Sequence, residues 1–294
     1  MVIQVDKGGK GHYRTVQEAV DSVPCWNTQR IVIVIHTGLY REKVTVPYNK
    51  PFITFKGSGR GGTIISWGDT ANIAGGTYES TSVAIDADYF IAKGMTFTNT
   101  APIPSPGAIG KQAVALRVNG NKAAFYNCQI LGAQDTLFDA AGLHLFKNCF
   151  IQGTIDFIFG NGQSLYLGCI LNSIASTYGS IAAQNRQEPQ ESTGFSFVNC
   201  KITGTGLLYL GRAMGPYSRI VFSNTYIDNI IAPDGWNDWF DAQREKTVFY
   251  GQYKCSGPGS NTQDWVPWSH VLSNDEAQQY QSLNFIDGTE WLKV

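Results

Sequence analysis

Two aspartates carry the strongest chemical signal in the sequence. Asp135 lies in Gly132-Ala133-Gln134-Asp135-Thr136-Leu137-Phe138, and Asp156 in Gly153-Thr154-Ile155-Asp156-Phe157-Ile158-Phe159-Gly160. Most aspartates of this chain sit beside Gly or Asn and read as turn residues, whereas these two interrupt apolar, β-prone runs. They are 21 residues apart, the same step that separates Cys128 from Cys149. If that step is one circuit of a repeating backbone, the two carboxylates stand one above the other on a single face. Carboxylates that close do not both ionise readily at neutral pH, so one pKa rises while the other stays low. Such a pair supplies an acid together with a nucleophile or base. Two aspartates bonding turn backbone would give the same residues without chemistry, but the neighbours favour the chemical reading. Gln112, 23 residues before Asp135, and Gln134 place amide donors on the same circuits. Arg212, in the apolar run Tyr209-Leu210-Gly211-Arg212, suits a carboxylate partner, although a structural ion pair fits that pattern as well.

The element that must position these groups is a repeat. Phe125-Tyr126-Asn127-Cys128 is echoed by Phe146-Lys147-Asn148-Cys149, Tyr166-Leu167-Gly168-Cys169, Phe197-Val198-Asn199-Cys200 and Phe222-Ser223-Asn224-Thr225, with Phe97-Thr98-Asn99-Thr100 ahead of them. The Cys128 to Cys149 and Cys149 to Cys169 steps are 21 and 20 residues, and later steps lengthen as if loops were inserted. A period near 20 residues with short strands marks a solenoid, and the Leu-x-x-Leu-x-Leu pattern of leucine-rich repeats is absent. The reading is an all-β parallel β-helix, one domain over residues 1–294, with rungs spaced about 4.8 Å apart. The aromatic and the Cys or Thr of each echo should face inward, and the recurrent Asn should mark a bend. On this view the rung cysteines are core residues first, with disulfides the alternative. Helix signals are few. Thr15-Val16-Gln17-Glu18 fits a capping box ahead of a short helix ending before Pro24, placed to cap the N-terminal end of the stack. A second helical segment opens at Ser273, with Glu276 three residues on, and is expected to run to about Leu283. Arg30–His36 is the clearest strand.

Composition narrows the partners. The chain has 294 residues, 15% charged, 32 Gly and a formal net charge of −1. No run of Lys or Arg stands out, so neither nucleic acid nor an anionic membrane is expected, and an acidic polymer could bind only through a local basic patch. No apolar stretch of about 20 residues offers a membrane span. The start, Met1-Val2-Ile3-Gln4-Val5-Asp6, shows no signal-peptide pattern, which leaves a processed chain with an added Met and a cytosolic chain both open. The six Cys include no Cys-x-x-Cys, and no His-Glu-x-x-His is present, so no metal site is expected. Gly57-Ser58-Gly59-Arg60-Gly61-Gly62 has dinucleotide-fingerprint spacing, but Thr63-Ile64-Ile65-Ser66-Trp67 follows it with a strand rather than a helix, so it reads as a turn. No Gly-x-Ser-x-Gly elbow argues for a serine esterase.

Five motifs together carry a resemblance. Gly38-Leu39-Tyr40-Arg41-Glu42, Gln112-Ala113-Val114-Ala115-Leu116, Gln134-Asp135-Thr136-Leu137, Asp156-Phe157-Ile158-Phe159-Gly160 and Leu210-Gly211-Arg212 occur in this order along nearly the whole chain. Each alone is weak. As a set they resemble the pectin methylesterases (pectinesterases), the plant enzymes most. The resemblance implies a right-handed parallel β-helix, no cofactor and no metal. It implies Asp156 as nucleophile, Asp135 as general acid/base, Gln112 and Gln134 as oxyanion donors and Arg212 as the residue orienting the nucleophile. It places Phe138, Phe159 and Trp236 among groove aromatics; Trp236 and Trp239 could be loop core, but groove duty is expected for at least one of the two. The Trp usual two residues after the arginine is Met214 here, which can cover a sugar face without an aromatic stack. The partner implied is methyl-esterified homogalacturonan, with a proteinaceous pectinesterase inhibitor as a further one. A monomer secreted to the plant cell wall is expected from the same source. Two rivals follow from the residues themselves: another pectin-active β-helix enzyme, since retaining glycosidases also use two close carboxyls, and a non-catalytic wall-binding relative.

Overall fold

Short β-branched runs broken by Gly and Asn fold into rungs, because each break turns the chain before a strand grows long. The computed structural model describes residues 1–105 and 107–292, so the expected domain limit at Val294 lies outside the described residues. Every ladder between strands is parallel, and strands pair with partners one circuit away in sequence, which makes the architecture a right-handed parallel β-helix.

One face of the helix is an 11-stranded sheet that contains the strands Ile31–Ile35, Ile53–Lys56, Ile91–Lys93, Ala123–Tyr126, Leu143–Lys147 and Gln163–Leu167. The remaining strands form two columns joined where the long strands Ile170–Gln184 and Lys201–Arg212 run from one column into the other. The first column holds Thr96–Asn99, Gln129–Leu131 and Phe150–Gly153; the second holds Val83–Ile85, Leu116–Val118, Leu137–Asp139 and Ile158–Gly160. Asp135 and Asp156 sit in the bends between these two columns.

The aromatic echoes stack as a ladder through the interior. Phe125, Phe146, Tyr166, Phe197 and Phe222 follow one another with ring centroids 4.5–4.8 Å apart and nearly parallel planes. The Asn two residues after each ring is the bend: Asn127, Asn148, Asn199 and Asn224 have φ between 49° and 54°, with Gly168 at 65°. Asn tolerates this left-handed conformation, and Gly adopts it without steric cost, which explains why the two alternate at this site. Phe97-Thr98-Asn99-Thr100 does not belong to the ladder as expected. Thr96–Asn99 pairs with Gln129–Leu131 in the first column, and the circuit ahead of Phe125 is Ala92-Lys93-Gly94, with Gly94 at φ 62°. The sequence echo matched residue types across two faces of the same rung.

The rung cysteines pack as core. Cys128, Cys149, Cys169 and Cys200 are buried free thiols, and those of Cys149, Cys169 and Cys200 approach the carbonyls of Phe125, Phe146 and Tyr166 one circuit back, at 3.3–3.5 Å. The N-terminal helix, Val16–Asp21, has the expected capping box at Thr15 and buries Val16, Ala19 and Val20 against the first strands. The C-terminal segment departs from the single helix expected to reach Leu283. Ser273 caps a helix over Asn274–Gln278, and Ser282 then starts a 3-10 turn over Leu283–Ile286. This segment lies on the outer face of the 11-stranded sheet, where Ala277, Tyr280, Phe285 and Ile286 cover Leu145, Leu165 and Val198. Residues 57–62 form a turn between Ile53–Lys56 and Thr63–Trp67, as read from the sequence.

Candidate active site

Parity along the second column decides which side chains reach the surface. Successive residues of a strand alternate between faces, and parallel register carries that alternation from rung to rung. One row runs Leu116, Leu137, Ile158, Ala182, Gly211 and Trp236, and faces the core. The adjacent row contains Ala84, Arg117, Phe138, Phe159 and Ala183, with Arg212 beside Asn237 further along, and faces out. Phe138 and Phe159 stack in this outer row with centroids 4.4 Å apart.

Above this floor opens a cleft of about 580 Å³, lined by Gln112, Gln134, Asp135, Phe138, Asp156, Phe159, Ala183, Arg212, Met214, Trp239, Thr77 and Tyr78. It gathers eight of the nine site residues expected from the sequence. Trp236 is the exception and is a correction: it pairs with Gly211, falls in the inward row, is 1% exposed, and stacks on Tyr250 at 4.5 Å. The aromatic at that side of the cleft is Trp239, whose ring lies 4.2 Å from the Arg212 guanidinium carbon.

The aspartates occupy bends, not strands, contrary to the contrast with turn aspartates drawn from the sequence. Asp135 has φ 61° and Asp156 φ 48°. Asp is among the few residues that enter this region readily. The Asp135 backbone N–H donates to the Ile155 carbonyl at 3.0 Å, which sets Asp135 in register with Asp156 on the next rung. Gln112 and Gln134 are related in the same way, since the Ala113 N–H donates to the Gln134 carbonyl at 3.1 Å.

The two carboxylates have different surroundings. Arg212 donates from Nη1 to Asp156 Oδ2 at 3.0 Å. The Ser180 hydroxyl donates to Asp156 Oδ1, and its oxygen accepts the Asp156 backbone N–H at 2.8 Å. Burial raises the Asp156 carboxyl above the ordinary value, while the Arg212 charge and then the Ser180 hydroxyl pull it back down. Asp135 has no such partner among the described residues; burial and then the Asp156 charge push its carboxyl well above the ordinary range, with Arg212 opposing. Of the pair, Asp135 is pushed further towards its protonated form, and Asp156 is the one whose charge has partners.

Three contributors escaped the sequence reading. Ser180 lies 24 residues after Asp156, on a circuit three residues longer than the 21-residue step, which would have pointed to Thr177 instead. Tyr78 comes from the segment ahead of Val83–Ile85; its ring meets Phe138 edge-on at 6.2 Å and rests 3.5 Å from the Arg117 guanidinium carbon. Arg117 is itself fixed by two 3.0 Å bonds to Asp86. No spacing links Tyr78 to the aspartates, so no signal in the sequence pointed to it. Among the described residues, no group of three or more His, Cys, Asp or Glu is placed to hold a metal ion, and no helix is long and apolar enough to cross a membrane.

Comparison with known proteins gives the family and the fold. A family model described as pectinesterase matches residues 2–289. Pectinesterase QRT1 of Arabidopsis thaliana is 51% identical over 301 aligned residues, covering 100% of this chain and 79% of that protein. The solved pectin methylesterase from carrot superposes with a TM-score of 0.93 at 38% identity, over 99% of this chain and 94% of that one. A pectin methylesterase solved in complex with a hexasaccharide superposes at 0.80 with 26% identity, over 97% of this chain and 96% of that one.

Proposed function

Because the chain belongs to the pectinesterase family and is a carboxylic ester hydrolase, we propose that it hydrolyses the methyl esters of homogalacturonan through an aspartyl acyl-enzyme. The observation that carries the reading is the asymmetry of the aspartate pair: Asp156 is held by Arg212 and Ser180, while Asp135 is left to keep its proton.

Ionised Asp156 attacks the ester carbonyl carbon of a galacturonate unit lying over Phe138 and Phe159. Negative charge builds on the carbonyl oxygen, where the Gln112 and Gln134 amides donate to it; one such donor is worth about 3 kcal/mol in the transition state. Asp135 gives its proton to the methoxy oxygen as the carbon–oxygen bond breaks, and methanol leaves. The remaining anhydride joins Asp156 to the sugar carboxyl. Asp135, now ionised, takes a proton from water as that water attacks the anhydride, which frees Asp156 and the galacturonate. Arg212 keeps Asp156 ionised and aimed, and the Trp239 ring packs over Arg212. Residues 1–294 act as a monomer at the plant cell wall, where a proteinaceous pectinesterase inhibitor is a further partner.

The test is an assay on methyl-esterified pectin with and without chelator. The reading requires methanol release that chelator leaves unchanged, with neither new reducing ends nor unsaturated products. Chain cleavage in place of methanol release would transfer the carboxylate pair to glycosidase or lyase chemistry.

A further inference from the structure

The outer face of the 11-stranded sheet carries a second depression, of about 590 Å³, on a different side of the helix from the cleft. Register builds it. Lys56, Lys93, Tyr126 and Lys147 pair in succession on four neighbouring rungs, so they form one outward row along the helix axis. Arg30 and Lys122 add two more cations from the bends beside this row, and none of the lining residues is acidic. None of these five cations makes a salt bridge among the described residues.

Three of the five cations are held by neighbours. The Lys93 ammonium lies 5.5 Å from the Tyr126 ring centre, and the Lys122 ammonium 5.5 Å from that of Tyr89. Arg30 donates to the Tyr89 carbonyl at 2.9 Å and to Thr54 Oγ1 at 3.1 Å. Trp291 and Leu292, from the C-terminal segment, wall one side, with the Trp291 indole N–H fixed on the Ile286 carbonyl at 2.8 Å. The bend carboxylate Asp88 accepts the Asn121 backbone N–H at 2.8 Å. In a chain of net charge −1, five unpaired cations on one concave face form a local positive field.

We propose that this groove binds a run of de-esterified galacturonate units, the polyanion that the cleft's own reaction makes. The proposal rests on the cleft acting on pectin. A linear chain with one carboxylate per sugar suits a linear row in which lysines occupy three of four rungs about 4.8 Å apart, with Tyr126 on the remaining one. Each exposed ion pair contributes little alone, but several along one polymer add, and a polymer held there raises the local concentration of ester groups at the cleft. The groove thus tethers the enzyme to the stretch it has already processed.

The test pairs Lys56→Gln/Lys93→Gln with a separate Lys147→Gln variant, all at exposed positions. Titration with fully de-esterified oligogalacturonate at low salt is expected to show about a tenfold loss of affinity in the double variant, as for two exposed ion pairs. Raised salt should erase the difference from wild type. Turnover of a short methylated oligomer should be unchanged, while KM on long, partly de-esterified pectin rises. Phe138→Ala, in the cleft, should leave the salt-sensitive binding in place. Equal binding by wild type and both lysine variants overturns the proposal, and so does equal competition by a sulfated dextran of matched charge, which would make the groove a general polyanion patch. Failure of the wild type to release methanol from pectin would instead sink the reading of the cleft, and the binding titration would still decide the groove.

Discussion

Asp135 stands one rung before Asp156, and both backbones are held left-handed, at φ 61° and 48°. A bend, not a strand, therefore presents each carboxylate, and the register between bends makes them neighbours. The consequences of that arrangement can be measured.

Replacing Asp156 should abolish the chemistry without unfolding the protein, provided the substitute accepts the bend. Asn occupies the left-handed region readily, whereas Ala pays a conformational cost there of about 1 kcal/mol. Asp156→Asn is expected to lower kcat by about 10³-fold or more with a Tm close to wild type, and Asp156→Ala to be similarly inactive but less stable. Methanol release and thermal melts check both.

In the proposed mechanism the Gln112 and Gln134 amides act only as charge develops on the ester oxygen. Gln112→Ala and Gln134→Ala should each cost about 10²-fold in kcat with little change in KM. A rise in KM at constant kcat would show that these amides bind the ground state instead.

Ser180 and Arg212 both pull the Asp156 carboxyl down. The acid limb of kcat/KM reports ionisation of the nucleophile, so losing either partner raises that pKa and moves the limb to higher pH. Ser180→Ala is therefore expected to shift the optimum towards alkali, with activity recovering as pH rises. An acid limb unmoved in Ser180→Ala would separate this serine from the nucleophile.

Asp135 should cost stability at neutral pH. Its folded carboxyl binds a proton more tightly than the unfolded chain does. The associated stability is complete below the ordinary carboxylate range and is lost as pH climbs through that range towards the folded value. Asp135→Asn removes the loss, so its Tm should exceed that of wild type by about 2–4 °C for each kcal/mol recovered at neutral pH. The gain should vanish near about pH 3, below the unfolded carboxylate value. Calorimetry at two pH values tests both halves.

Met214 packs beside Phe159, Ala183 and Val114 at the cleft wall. Met214→Trp offers a flat ring to a sugar face and should lower KM severalfold, with kcat little changed. An unaltered KM would show that no sugar unit lies there.

Much of this site was legible because a solenoid converts sequence spacing into spatial proximity. The 21-residue step from Asp135 to Asp156 was enough to predict a shared face, but repeating it lands on Thr177 and misses Ser180, because the next circuit is 24 residues long. What spacing could not supply was parity. Trp236 and Asn237 differ by one residue, yet one pairs with Gly211 and points inward while the other pairs with Arg212. A one-residue difference in register exchanges core for surface, and only the ladder fixes it. Tyr78 was invisible for another reason, since it arrives on a loop outside the repeat and is placed by Arg117 beneath it. The lysine row on the opposite sheet escaped a linear search because its members lie on different circuits, far apart in sequence.

The account stands on a covalent bond to Asp156, and trapping that bond tests it most directly. Turnover of methylated oligogalacturonate in the presence of hydroxylamine should divert the anhydride, leaving a hydroxamate on the Asp156 side chain or on the sugar carboxyl, both readable by mass spectrometry. Methanol released over many turnovers with neither hydroxamate formed would contradict an acyl-enzyme.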